Sequence, residues 1–150
     1  MKKAIIFCYS IHHKNTRKVL DAVAAALPVR IVDVPVSDKV DLSQYDLVGF
    51  ASGVYMSRFG EPVTRLIGEL AGLSGKACFT MYTCGAPGGD YANAAQELLR
   101  KRGAVVAGGW HCRGYDTFGP FKLVGGIAKG RPSERDAEDA VRYVKTLLGD

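Results

Sequence analysis

The sequence alternates short apolar runs with segments of helical period, and this pattern constrains the fold more than any other feature. The predicted strands are residues 4–9, 29–34, 47–51, 77–82 and about 104–112, and the predicted helices are residues 15–27, 61–71, about 90–102 and 133 to about 148. Strands that are nearly continuous in apolar residues are typical of a parallel sheet covered on both faces by helices. No repeat or linker interrupts the pattern. It therefore predicts one α/β domain over residues 1–150.

The composition fits an ordinary globular domain, with 47% hydrophobic and 23% charged residues. No apolar run approaches the roughly 20 residues that a membrane-spanning helix requires. The apolar stretch near the N-terminus is too short for a signal peptide and is followed by basic residues, so we expect a cytoplasmic protein. The four cysteines show no C-x-x-C spacing, which disfavours a disulfide framework and a structural zinc site.

The positive charge is unevenly distributed along the chain. Residues 1–30 contain six Lys/Arg and one acidic residue, which accounts for the whole net charge of +5. These cations are neither densely clustered nor interleaved with aromatic residues, so the pattern disfavours a nucleic-acid-binding surface. A binding site for a small dianion such as a phosphate monoester needs only one basic loop. For Lys2, Lys3 and Arg30 the alternative is a plain solvated surface.

Ligands of parallel sheets bind beyond the carboxyl ends of the strands. The loops of interest are therefore residues 10–16, 52–60, 83–89 and 113–132. None has the glycine pattern of a Rossmann dinucleotide site or of a P-loop, and strands one and three do not end in the acidic residues of a receiver domain. A low-molecular-weight phosphatase would need a nucleophilic cysteine with an arginine five residues further on. Cys8 is separated from Arg17 by eight residues, which is the wrong spacing.

The first loop is rich in hydrogen-bonding groups and leads directly into a helix. Ser10, Asn15 and Thr16 can donate hydrogen bonds to a phosphate, Lys14 adds charge, and the helix N-terminus favours an anion. His12 is a further phosphate donor in this interpretation, and we expect its neighbour to be solvated. The alternative role for the hydroxyl and amide side chains is ordinary helix capping.

Three loops together resemble the flavodoxin-like FMN-binding family. The first, Ser10 to Thr16, looks like a variant of that family's [ST]-x-T-G-x-T phosphate loop, one residue longer and without the glycine. Ser52-Gly53-Val54-Tyr55 is similar to its second flavin loop, and Tyr82-Thr83-Cys84-Gly85 occupies the place of the third. The resemblance implies a doubly wound five-stranded sheet of order 2-1-3-4-5 and non-covalently bound FMN. The implied cofactor-binding residues are Ser10, His12, Lys14, Asn15, Thr16, Ser52, Gly53, Val54, Tyr55, Thr83, Cys84 and Gly85.

The resemblance also suggests roles for individual residues. The carbonyl of Gly53, given a glycine's conformational freedom, can meet the flavin N5–H when the ring gains an electron. Tyr55 either stacks on the flavin ring or packs as a lid, and Cys84 is either a redox thiol or part of the flavin-edge lining. Residues 113–132 are too long for a routine connection, so we expect them to fold over the flavin edge.

The resemblance implies electron transfer, with the redox chemistry supplied by FMN and no side chain needed as a general acid or base. The partner would be a redox protein or a small-molecule electron acceptor, with no nucleic acid and no membrane span. The alternative function is an FMN-dependent NAD(P)H:quinone-type reductase. A carrier would leave the dimethylbenzene edge of the flavin open, whereas a reductase would build a pocket over the ring.

Overall fold

A parallel sheet forms the centre of the chain. The computed structural model describes residues 2–11, 14–55, 58–86, 89–115, 123 and 125–149. The strands are β1 (Ala4–Tyr9), β2 (Val29–Asp33), β3 (Leu47–Tyr55), β4 (Arg58–Phe59), β5 (Ala77–Cys84) and β6 (Val105–Arg113). The five long strands are parallel in the order β2-β1-β3-β5-β6, and the two-residue β4 pairs antiparallel with β3. When the two-residue β4 is left out and the long strands are numbered one to five, this order is the predicted 2-1-3-4-5.

Helices cover both faces of the sheet, which confirms the predicted fold class. They are α1 (Asn15–Ala26), α2 (Glu61–Glu69), α3 (Asn93–Lys101) and α4 (Glu134–Leu147), with a 3₁₀ turn at Leu42–Gln44. The apolar sides of α2 and α3 pack on one face of the sheet, and those of α1 and α4 pack on the other. Alternate strand residues feed these two cores because successive side chains of a strand point to opposite faces. None of the described helices has the length and apolar character needed to cross a membrane.

Two strands extend further than the sequence pattern predicts. β3 continues to Tyr55 because Val54 and Tyr55 pair with β4, and because Gly53 pairs with Thr83 of β5. β5 in turn continues to Cys84. Six residues that were predicted to lie in loops, Ser52, Gly53, Val54, Tyr55, Thr83 and Cys84, therefore lie in these two strands. The regular strand backbone fixes their positions at the edge of the sheet.

α4 begins with a capping box at Ser133, the start that the sequence predicts. The Ser133 hydroxyl accepts a hydrogen bond from the Asp136 N–H, and the Asp136 carboxylate accepts one from the Ser133 N–H. The same carboxylate accepts hydrogen bonds from Arg131 at 2.6 and 2.8 Å. This arrangement fixes the direction in which the chain returns from the carboxyl edge of the sheet to α4.

We expect Ser133→Ala to lower the free energy of unfolding by about 1 kcal/mol, because the N–H of Asp136 loses its acceptor. Urea titration followed by circular dichroism would measure the loss. Thr146→Ala is the matched control, since its exposed hydroxyl only bonds back to Arg142 of the same helix and its removal should be nearly neutral. Equal losses in the two variants would contradict the capping role.

Candidate functional site

Four loops meet at the carboxyl edge of the sheet. They comprise residues 10–16 after β1, residues 52–60 from the end of β3 through β4, residues 83–92 from the last two residues of β5, and residues 113–132 from the last residue of β6, and are called here the first to fourth loops. Since the four strands are parallel neighbours, their carboxyl ends lie side by side. The crevice beyond such strand ends is the usual ligand site of open α/β sheets.

Hydrogen bonds join the first loop to the second and to the fourth. The Ile11 N–H donates to the Tyr55 hydroxyl at 2.9 Å. The Asn15 side-chain amide donates to the Tyr115 carbonyl at 2.8 Å, across 100 residues of sequence. The first loop is therefore fixed from both sides by residues that are distant in the chain.

The third loop is tied into the same arrangement. The buried hydroxyls of Thr16 and Thr83 are hydrogen-bonded to each other at 2.8 Å. The Arg113 guanidinium donates from Nε and Nη2 to the Gly85 carbonyl, at 3.0 and 2.6 Å. With these contacts all four loops belong to one hydrogen-bonded cluster at the edge of the sheet.

The N-terminus of α1 lies in the middle of this cluster. The first N–H groups of a helix have no acceptor within the helix. The Arg17 N–H is satisfied by the Ser10 hydroxyl at 3.3 Å, so Ser10 takes the capping role that the sequence allowed. The N–H groups of Asn15 and Thr16 remain without an intrahelical partner, and the first turn contains no acidic residue. The exposed Lys14 precedes it, with a left-handed φ of 53°. This end of α1 is suited to an anion.

Asn15 has an unsatisfied buried atom. Only 7% of the residue is exposed, and within the described part of the chain its Oδ1 has no hydrogen-bond donor. A Cβ at Gly114 would lie 2.6 Å from the Asn15 Nδ2, so the absence of a side chain at Gly114 permits this close packing. An orphaned acceptor beside the helix N-terminus matches a ligand that carries hydroxyl groups as well as negative charge.

Gly53 has a second role that the sequence did not indicate. Its φ lies outside the left-handed region in this structure. A Cβ at Gly53 would lie 2.7 Å from the Tyr55 hydroxyl and 2.9 Å from its Cζ. The glycine therefore makes room for the Tyr55 side chain. The Gly53 carbonyl also accepts a hydrogen bond from the Ser52 hydroxyl at 2.6 Å.

Tyr55 and Ser52 organise the second loop. The Tyr55 ring packs edge-on against Tyr9, with ring centres 5.6 Å apart. The Ser52 hydroxyl also accepts from the Gly60 N–H at 2.8 Å and so ties the end of the loop back to β3. Val54, half-buried in β3, lies opposite Phe59 of β4. Tyr55 therefore packs between the first and second loops.

Burial makes the cysteines poor nucleophiles. It raises the pKa of the Cys84 thiol, against the opposing effect of Arg113. Burial, reinforced by the negative charge of Asp33, raises the pKa of Cys8 to about 12. Both thiols are protonated at neutral pH, whereas the thiolate is the reactive form. This supports Cys84 as a lining residue and leaves Cys8 without the thiolate that phosphatase chemistry needs.

Two predicted features fall outside the described residues. These are His12, with its neighbour at position 13, and much of the fourth loop, at 116–122 and 124. The sequence interpretation in turn missed Arg113 and Tyr115. Arg113 contributes a guanidinium that donates to the Gly85 carbonyl, and Tyr115 contributes a main-chain carbonyl that accepts from Asn15. Only the charge at the end of a strand could have indicated Arg113, and no sequence signal marks the carbonyl of Tyr115.

Comparison with known proteins agrees with this architecture. No protein-family model matches the chain. The uncharacterised protein MJ0298 of Methanocaldococcus jannaschii is 34% identical over 97% of this chain and 98% of its own length. Among solved structures, a flavodoxin from the domain Archaea has a TM-score of 0.71 at 15% identity, covering 99% of both chains. A flavoprotein of Lactobacillus acidophilus NCFM in complex with FMN has a TM-score of 0.64 at 17% identity, covering 74% of this chain and 93% of its own. The chain therefore belongs to the family of MJ0298, and its fold is that of the flavodoxins.

Proposed function

We propose that the chain binds FMN non-covalently at the carboxyl edge of the sheet and acts in electron transfer. The observation that carries the proposal is the start of α1, where two N–H groups without intrahelical acceptors adjoin the orphaned oxygen of Asn15. FMN is a phosphate monoester with a polyhydroxylated ribityl chain, so it supplies both an anion and hydroxyl donors. The solved structures that share this fold include flavodoxins and FMN complexes.

The phosphate would be held mainly by the main chain at α1. The N–H groups of Asn15 and Thr16 donate to it, and Lys14 adds a positive charge. The hydroxyls of Thr16 and Thr83 carry two protons and their mutual bond uses one, so one remains for a further acceptor. The Asn15 Oδ1 would accept from a ribityl hydroxyl. His12 stays a predicted donor.

The flavin ring would lie between the second and third loops. Gly53 and Tyr55 would line one side of the ring, and Cys84 and Gly85 would line the other. When bound, FMN supplies the redox chemistry, and the chain positions the ring and limits access of water to it. The Tyr55 hydroxyl accepts a hydrogen bond from the Ile11 N–H, so the second loop also sets the shape of the first loop, which would hold the phosphate. The carrier and reductase alternatives share this site.

The absorbance spectrum of the purified chain tests the proposal. We expect flavin bands, release of FMN on denaturation as identified by mass, and tighter rebinding of FMN than of riboflavin by about tenfold or more. Riboflavin is the matched ligand control because it lacks only the phosphate. Failure of the refolded or ligand-free chain to bind FMN at micromolar concentration would overturn the proposal.

A steady-state assay distinguishes carrier from reductase. The FMN-loaded chain is mixed with NADH or NADPH and a quinone, and oxidation of the nicotinamide is followed by absorbance. Turnover would assign the reductase function. A carrier would accept electrons from dithionite and pass them to a protein acceptor, without oxidising the nicotinamide at an appreciable rate.

A further inference from the structure

The fold places most of the net positive charge around the carboxyl edge. Along the sequence the excess is found in residues 1–30, but the folded chain groups it differently. The described residues of the four loops contain five cations, namely Lys14, Arg58, Arg113, Lys129 and Arg131, and one carboxylate, Asp90. This is a net charge of +4. The whole sequence outside the four loops contains fourteen cations and thirteen acidic residues, so it is almost neutral.

Three of the acidic residues that border this edge are paired with arginines. Asp33 binds Arg17 at 2.7 Å, and Asp136 binds Arg131 at 2.6 Å. Glu61, at the start of α2, pairs with Arg65. These three carboxylates are therefore neutralised by their own partners.

Three exposed loop cations remain without such a partner, and the half-buried Arg113 donates to the Gly85 carbonyl instead. Among the described residues, Lys14, Arg58 and Lys129 form no ion pair, and all three are exposed. They belong to the first, second and fourth loops, respectively, so they surround the edge. Exposed cations around a site attract an anionic partner and speed its encounter, and this effect is lost at high salt.

Lys14 would face the FMN phosphate in the proposed function, which leaves Arg58 and Lys129 available when FMN is bound. We infer that this cationic rim, defined as Arg58 and Lys129, is the docking surface for a redox partner protein with an acidic surface around its own electron-transfer centre. The inference rests on the proposed function, because the rim lies beside the proposed FMN site. Two exposed cations on separate loops match a broad acidic protein surface better than a single small anion. The exposed rim thus gives charge complementarity without a deep pocket.

The test uses two protein acceptors that differ only in surface charge. The FMN-loaded chain is reduced with dithionite and mixed in a stopped-flow instrument with native cytochrome c, which is lysine-rich, or with the same cytochrome after succinylation of its lysines. We expect the rate with the succinylated acceptor to rise as salt is lowered, and the rate with the native acceptor to fall.

Charge reversal on the rim should reverse this dependence. In Arg58→Glu/Lys129→Glu, reduction of the succinylated acceptor should slow by about tenfold or more at ~10 mM salt and approach the parent rate at ~0.5 M. Lys2→Glu/Lys3→Glu is the matched control. It makes the same charge change at the exposed start of β1, at the opposite edge of the sheet, and should keep most of the parent's rate.

The outcomes separate this inference from the proposed function. A chain that takes up no FMN, or is not reduced by dithionite, fails the proposed function before any acceptor is added. A reduced chain that prefers native cytochrome c at low salt, or that is equally slowed by both double variants, overturns the acidic-partner inference. A rim variant altered only in its KM for NADPH would also overturn it, in favour of a small anionic substrate.

Discussion

Replacing Gly49 with alanine is expected to lower the free energy of unfolding by about 3 kcal/mol, at the upper end for an overpacked core. Gly49 lies in β3, between Ile6 of β1 and Phe79 of β5 in the strand register. A Cβ at this position would lie 2.5 Å from the Phe79 Cζ and 3.0 Å from the Ile6 Cγ1. Both neighbours are fully buried and have little room to move. Urea titration would measure the loss.

A glycine-to-alanine substitution in α2 should change the free energy of unfolding in the opposite direction. Gly68 is exposed in the helix, and a Cβ there would meet no atom within 4 Å. Gly68→Ala should raise the free energy of unfolding by about 0.5–1 kcal/mol, because alanine is the better helix former.

In a Gly49→Ala background, Phe79→Leu should recover part of the loss by vacating the ring position. A Gly49→Ala chain as stable as the parent would contradict the packing at the centre of the sheet.

The fold was largely predictable because its signals are local. Continuous apolar strands indicate a parallel sheet, and Ser133 with Asp136 marks the start of α4. The extension of β3 was not predictable, because it depends on pairing with Arg58–Phe59. Two residues are too few to give a period-two pattern, and residue 55 was therefore predicted to lie in a loop.

The position of the candidate site followed from topology, whereas its internal contacts did not. Strand order alone brings the four loops to one edge. The bond between Asn15 and the Tyr115 carbonyl joins segments 100 residues apart and involves a main-chain atom that has no sequence signature. The role predicted for Gly53, a carbonyl that meets the flavin N5–H on reduction, stays a prediction. What the sequence did not indicate is that the small size of Gly53 accommodates Tyr55. The cationic rim is also a property of the folded chain, since its members are dispersed in sequence.

Asn15→Asp is expected to weaken FMN binding by about a hundredfold relative to riboflavin. Asn15 is the first residue of α1, beside the N–H groups proposed to hold the phosphate. A carboxylate about 6 Å from a phosphate charge, at an effective dielectric constant of ~20, costs roughly 3 kcal/mol, which is about a hundredfold in affinity. Riboflavin carries no phosphate, so its affinity should change only through the lost amide contact with Tyr115. Fluorescence quenching titrations of both flavins at about pH 8, where the new carboxyl is ionised, would measure the ratio.

Asn93→Asp provides the matched control, because Asn93 is the first residue of α3 and is exposed. A negative charge at that helix N-terminus should raise the free energy of unfolding by up to about 1 kcal/mol, and it should leave the FMN-to-riboflavin affinity ratio unchanged. Asn15→Asp also removes the amide donor to the Tyr115 carbonyl, so the ligand-free variant should be less stable than the parent. Because that loss affects both flavins, only the affinity ratio reports on the phosphate. An unchanged ratio in Asn15→Asp would mean that the phosphate does not bind at the start of α1, and the proposed orientation of FMN would then be wrong.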